Sequence, residues 1–190
     1  VTAAMSTADT KVVAASSTVA VSDATSVAEA NVIDAVTTGV ITATLDAGAA
    51  STYSSLTGTG NAYTVTVSDN ASTSIAATVL SALGGKTTGV VTVTNAIVIT
   101  GTQAALTAAL VTAGTLVVAG SATGTISDAD NASITATTLS AIGAKTSGAI
   151  TVTNAVNVTG TTAAVTAALV TADSLVVVSD AKATISDSEG

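Results

Sequence analysis

Histidine, cysteine, arginine, phenylalanine and tryptophan are all missing from this 190-residue chain, and its only aromatics are two tyrosines. Each absence excludes something. Without cysteine there are neither disulfides nor thiolate metal sites. Without histidine, cysteine or arginine, the usual nucleophile–base pairs and phosphate clamps cannot be assembled, so the chain is not expected to be an enzyme. Charged residues make up 8%, with 12 acids against 4 lysines and a net charge of −8. Nucleic acid binding needs clustered basic residues that are lacking here, and so does docking on an anionic membrane face. Long apolar runs are also missing. The mean hydropathy of +0.70 comes from Ala and Val in short segments, interrupted by Thr, Ser, Asp or Gly before the roughly 18 residues of a membrane span accumulate. The chain opens at Val1 with no signal peptide or lipidation motif. It is expected to be a run cut from a longer protein, whose targeting signals lie elsewhere or have been removed.

What is present is small and apolar. Hydrophobic residues reach 48% while aromatics stay at 1%, so there is enough apolar surface to fold. The core must be thin, made of Ala, Val, Ile, Leu and Thr methyls. Thin, uniform cores suit stacked repeats in which each layer meets only its neighbours.

Internal repetition is the strongest signal. The segment from Ser81, SALGGKTTGVVTVTNAIVITGTQAALTAALVTAGTLVV, returns from Ser140 as SAIGAKTSGAITVTNAVNVTGTTAAVTAALVTADSLVV. The offset is about 59 residues, and about 31 of 51 aligned positions are identical. A shorter period of about 23 residues links Ser22-Asp23, Leu45-Asp46 and Ser68-Asp69. Three regions follow: residues 1–67 with the shorter units, 68–126 with one long copy, and 127–190 with a second, truncated one.

Within these units SVAEANVIDAV (Ser26 to Val36) reads as a helix, and GVITATL (Gly39 to Leu45) and YTVTV as β-branched strands, with AASTYSSL a weaker helix between them. In the long copies Ile75, Val79 and Leu83, and likewise Ile134, Thr138 and Ile142, are spaced as one face of a short helix. A second helix places Leu106 and Leu110, or Val165 and Leu169, on one face. Gly84, Gly114 and Gly143 suit left-handed helix ends. Buried positions are expected at Val91, Val93, Leu106 and Leu110 with their equivalents Val152, Val165 and Leu169. The expected fold is an α/β repeat, a right-handed α/β solenoid of short strands and short Ala-rich helices. Two alternatives stand behind it. One is a ββα-repeat sheet with a helix layer, in which Val93 and Ile97 pair across a hairpin. The other is an all-β solenoid.

Few residues carry chemistry. Asp23, Asp69, Asp128 and Asp187 each follow Ser at the end of a strand and just before a helix, which favours an N-cap role. The alternative is Ca2+, for which Asp128, Asp130 and Asp187 are the candidate ligands, in Asp128-Ala129-Asp130-Asn131 and Asp187-Ser188-Glu189-Gly190. Neither the full calcium-loop spacing nor the GGxGxD nonapeptide is present. Apart from that possibility no cofactor is expected. Lys86 and Lys145, in GGKTTG and GAKTSG, lack the upstream glycine of a phosphate loop and read as cations at a helix C-terminus. Tyr53 and Tyr63 read as packing residues.

The phrases SVAEANVIDAVTTGVITATL, LTGTGNAYTVTVSD and VTGTTAAVTAALV resemble the repeats of very large secreted surface proteins of cyanobacteria and other aquatic bacteria, which often carry haemolysin-type calcium-binding secretion repeats. The resemblance covers nearly all of the chain from Val19 onward. It implies export to the cell surface and a part in adhesion or an extracellular filament, with no functional residue to carry over. The expected function is a structural repeat segment of an extracellular filament-forming protein whose partner is itself. The competing expectation is an adhesin arm that binds glycans or another cell.

Overall fold

The computed structural model describes residues 1, 3–4, 15–115, 117–174 and 176–187. The chain is mixed α/β, with every described strand pairing parallel. The first sheet has the order β1-β2-β3-β5-β7, formed by Val19–Thr25, Ile41–Leu45, Ala62–Val67, Val91–Val93 and Val117–Val118. The second has the order β4-β6-β8-β10-β12, formed by Ser74–Ala76, Val98–Gly101, Thr123–Ile126, Ile150–Val152 and Val176–Val178. The third is β9-β11-β13, formed by Ser133–Thr135, Asn157–Gly160 and Lys182–Ile185. Among the described residues α-helices lie between strands: α1 Val27–Asp34, α2 Ala77–Gly84, α3 Gln103–Leu110, α4 Ala136–Gly143 and α5 Thr162–Leu169. Short 3-10 turns occupy Ala50–Ser55, Ala113–Thr115 and Ala172–Ser174.

Local sequence explains these elements. Strand residues alternate, with Val65 and Val67 pointing into the core and Thr64 and Thr66 outward, the period-two pattern of a sheet buried on one face. Each helix spans only eight residues, too short to be stable alone, so caps and packing must hold it. Ser26 and Glu29 form a reciprocal capping box on α1. Thr102, Thr135 and Thr161 accept the N–H of Ala105, Thr138 and Ala164 at the starts of α3, α4 and α5.

The chain returns to a neighbouring strand at a regular interval. Thr42 faces Ala62 in the first sheet, Val91 faces Val117 further along it, and Ile150 faces Val176 in the second. One such return, a step, therefore takes about 20 residues early in the chain and about 26 residues later, lengths typical of stacked repeats. Inward residues stack into ladders such as Val65–Val91–Val117 and Ile75–Ile99–Gly124–Ile150–Val176. Together with Leu80, Leu106 and Leu139 they belong to one apolar core.

Several expectations are corrected. Val93 pairs with Val67, and Ile99 with Ile75 and Gly124, so β5 and β6 do not form a hairpin. Ile75 and Ile134 are buried but lie in β4 and β9, not in helices. The helix phase restarts at Ala77, which buries Ala77, Leu80 and Leu83 and leaves Val79 43% exposed. In the same way α4 buries Ala136, Leu139 and Ile142, with Thr138 off that face. Val91, Val93, Leu106, Leu110 and Val152 are buried as expected. Val165 and Leu169 are only half-buried, since α5 has a neighbouring helix on one side alone among the described residues.

Gly84 and Gly143 end their helices in right-handed geometry. The following caps, Gly85 and Ala144, have φ of −71° and −67°. These glycines are needed for close approach instead, because a Cβ would stand 2.2 Å from the Thr115 carbonyl oxygen or 2.5 Å from that of Ser174. Gly114 has no left-handed backbone either. Left-handed residues occur at Ser72 and Asn131, with φ of 65° and 64°. These are repeat equivalents, and each donates its N–H across a step, to Ala96 O or Ala155 O.

Candidate functional site

The polar side chains of this chain are used mainly between steps. Three aspartates that follow serine cap helices, but of the preceding step. Asp128 Oδ2 accepts the Gln103 N–H at the start of α3 at 2.5 Å. Asp187 Oδ1 accepts from Thr162 N at 2.9 Å and from its hydroxyl at 3.2 Å, at the start of α5. Asp69 Oδ2 accepts from Ala50 N at 2.7 Å, opening the 3-10 turn. The expected cap chemistry is present, yet the helices that follow Asp69 and Asp128 begin only after a further strand, and the one after Asp128 takes its cap from Thr135. Asp23 accepts from the neighbouring Ser22 hydroxyl. The carbonyls of Asp69 and Asp128 are themselves held from the next step by the amides of Asn95 and Asn154.

A second cassette recurs after α1, α2 and α4, in Thr37-Thr38-Gly39, Thr87-Thr88-Gly89 and Thr146-Ser147-Gly148. The middle residue donates both its N–H and its hydroxyl to one carbonyl of the previous step: Ala15 O, Asn61 O and Gly120 O respectively. The glycine lies flat against that step. A Cβ at Gly39, Gly89 or Gly148 would fall 2.2 to 2.4 Å from Ser17 O, Tyr63 O or Ala122 O. Buried Thr87 adds a hydroxyl that accepts from Tyr63 N at 2.7 Å and from Gly89 N at 2.9 Å. The repeat alignment contained this signal, in TTGV, TTGV and TSGA, but spacing alone did not show its role.

Lys86 crosses a step as well, donating its Nζ to the carbonyls of Leu56 and Ser54 beside the 3-10 turn Ala50–Ser55. It serves the end of a neighbouring element rather than of its own helix. Lys145, its repeat equivalent, is exposed.

No family model matches the chain, and no curated protein or solved structure matches it either.

The candidate calcium ligands are spread over separate tasks. Asp128 and Asp187 cap different helices, and Asp130 Oδ1 accepts from Ala155 N at 3.0 Å. Ser188, Glu189 and Gly190 lie outside the described residues. Among the described residues no cluster of three or more acids is gathered, and no helix is long and apolar enough to cross a membrane. The Asp187 carboxyl sits below its ordinary range because Thr162 N–H donates to it. Glu29 is lowered by the Ser26 hydroxyl and then by the Ser26 N–H.

Both tyrosines are buried. The Tyr53 hydroxyl lies 2.7 Å from Asp46 O and from Thr66 O. The Tyr63 hydroxyl has no partner among the described residues. Burial, aided by the charge of Asp34, pushes its pKa up to about 12. On the outside, threonines line up across strands as Thr100–Thr125–Thr151 and Thr135–Thr159–Thr184. An open groove of about 220 Å³ beside Tyr53, Val79, Leu83 and Lys86 is mostly apolar.

Proposed function

We propose that this chain is a structural segment of an extracellular surface protein. Its layers are coils of a right-handed α/β solenoid that continue into, or stack on, further layers of the same kind. The observation that carries the reading is the direction of the polar network. Asp69, Asp128 and Asp187 each reach back to the preceding coil, and so do the three Thr-Thr/Ser-Gly cassettes. A side chain engaged with an adjacent layer is not free for chemistry, and its value lies in the repetition.

The strand pairing supports self-association as the partner mode. β8 and β10 each pair in parallel with a strand on either side, and a row of parallel strands is a template that further layers of the same kind can extend. The resemblance to repeats of secreted cyanobacterial proteins agrees with this, and implies an adhesive or filamentous structure at the cell surface. Electron microscopy of the native material tests the proposal. Uniform fibres with an axial repeat are expected, and dispersed globules would overturn it.

The outward threonine rows favour one second reading, an adhesin arm whose flat hydroxyl-bearing faces contact glycans. Selective binding of the chain to a glycan array would replace the structural reading with that one.

A further inference from the structure

The sequence repeat and the strand register do not share a period. Ile99 faces Gly124 and Gly124 faces Ile150, so two coils carry the chain from Ile99 to Ile150. That is about 51 residues, the length of two stacked repeats. The sequence repeat of about 59 overshoots by roughly eight, which is the length of one strand with its turn. The overshoot appears element by element. β4, β6 and β8 lie in the second sheet, while their equivalents β9, β11 and β13 form the third. β3, β5 and β7 lie in the first sheet, while their equivalents β8, β10 and β12 lie in the second. The helices follow: α2 and α3 succeed strands of the second sheet, α4 and α5 strands of the third. Among the described strands of the long copies none keeps its sheet.

We infer that the long sequence unit is a screw element, in which each copy turns the whole pattern of strands and helices by one side of the coil. This rests on the coil reading above and deepens it. One side is about a third of a coil, so three copies bring the pattern back after seven coils. At about 4.8 Å per strand, each copy advances about 11 Å with about a third of a turn, and the cycle closes at about 34 Å.

Sequence differences between copies track the change of side. Val65, Gly124 and Ala183 are repeat equivalents in three different sheets. Val65 completes the valine ladder of the first sheet. At Gly124 a Cβ would stand 2.5 Å from Ile150 Cδ1 and 3.2 Å from Leu106 Cδ2, so the second sheet takes the smallest residue. A fibre of such units shows each of its sides the same surface once per three copies. Lateral contact with a second copy therefore recurs once per full cycle of the screw, and not at every unit.

The chain has no cysteine, so pairs of spin labels on the intact protein can test this. Thr151→Cys with Val177→Cys labels directly facing residues. Strong dipolar coupling is expected, and its absence would overturn the coil reading itself. Thr100→Cys with Val177→Cys labels positions three strands apart in the second sheet, which strand spacing sets at about 14 Å. Val118→Cys with Val177→Cys labels repeat equivalents on different sides, expected to lie farther apart than the 100/177 pair. A 118/177 distance shorter than the 100/177 distance would leave the coils standing and overturn the rotation.

Discussion

At Asp128 one carboxylate serves a helix of the preceding step. Its Oδ2 takes the Gln103 N–H of α3, while the Asp128 carbonyl is held by Asn154, so three successive steps meet at one residue. Asp128→Ala should lower stability by about 0.5–2 kcal/mol in a denaturant melt. Asp128→Asn keeps an acceptor and should lose less, about 0.3–1 kcal/mol from the helix dipole. Both melts should be the same in calcium and in chelator, and a large calcium-dependent shift would restore a metal role. Glycine discriminates in a similar way. Gly89→Ala pushes a Cβ against the Tyr63 backbone and should cost about 1–3 kcal/mol. Gly114→Ala meets nothing within 4 Å and should be neutral or stabilising by up to about 1 kcal/mol. The pH profile has two edges. Glu29 and Asp187 are depressed in the folded chain, so their contribution is complete above about pH 4 and is lost as pH falls through their lowered values. Tyr63 is raised to about 12, so stability is retained below about pH 10 and lost between there and 12, as the unfolded chain ionises first. Tyr63→Phe removes a buried hydroxyl without a partner among the described residues. It should leave stability equal or higher and weaken the alkaline edge, as read by melts at pH 8 and 11.

Helices and strands were legible to different depths. Alternating Val and Thr revealed the faces of β3 and β5, and the run SVAEANVIDAV from Ser26 placed α1, because these signals depend on residues close in sequence. The helix phase in the long copies was not legible. Ile75, Val79 and Leu83 match a helical face, but a strand ends and a helix begins between Ile75 and Ala77, and the junction resets the periodicity. Strand partners were hidden for another reason: a period of two shows which face is buried and nothing about which strand lies alongside. Hence VVTVTNAIVIT admitted a hairpin, whereas each half pairs with strands of the neighbouring steps. The same limit hid the aspartates' true helices, whose caps arrive from 25 residues away. Leu110 tests the helix layer. It is 1% exposed on α3, and Leu110→Ala should cost about 2–5 kcal/mol. Its equivalent Leu169 is half-buried, so Leu169→Ala should cost clearly less in the same measurement.

The molecule as a whole is a set of nearest-neighbour contacts. Successive steps bond through parallel strands and, at several of them, through caps and cassettes, and the two tyrosines are the only aromatic anchors. Stability in an array built this way is close to a sum over layers and interfaces. Single-molecule extension of the chain held by its ends tests this most directly. Release in repeated increments of about 80–90 Å, the extended length of one step of about 25 residues, is expected, with the order set by whichever end layer is weakest. Release of the whole chain in a single event of about 600 Å would contradict it.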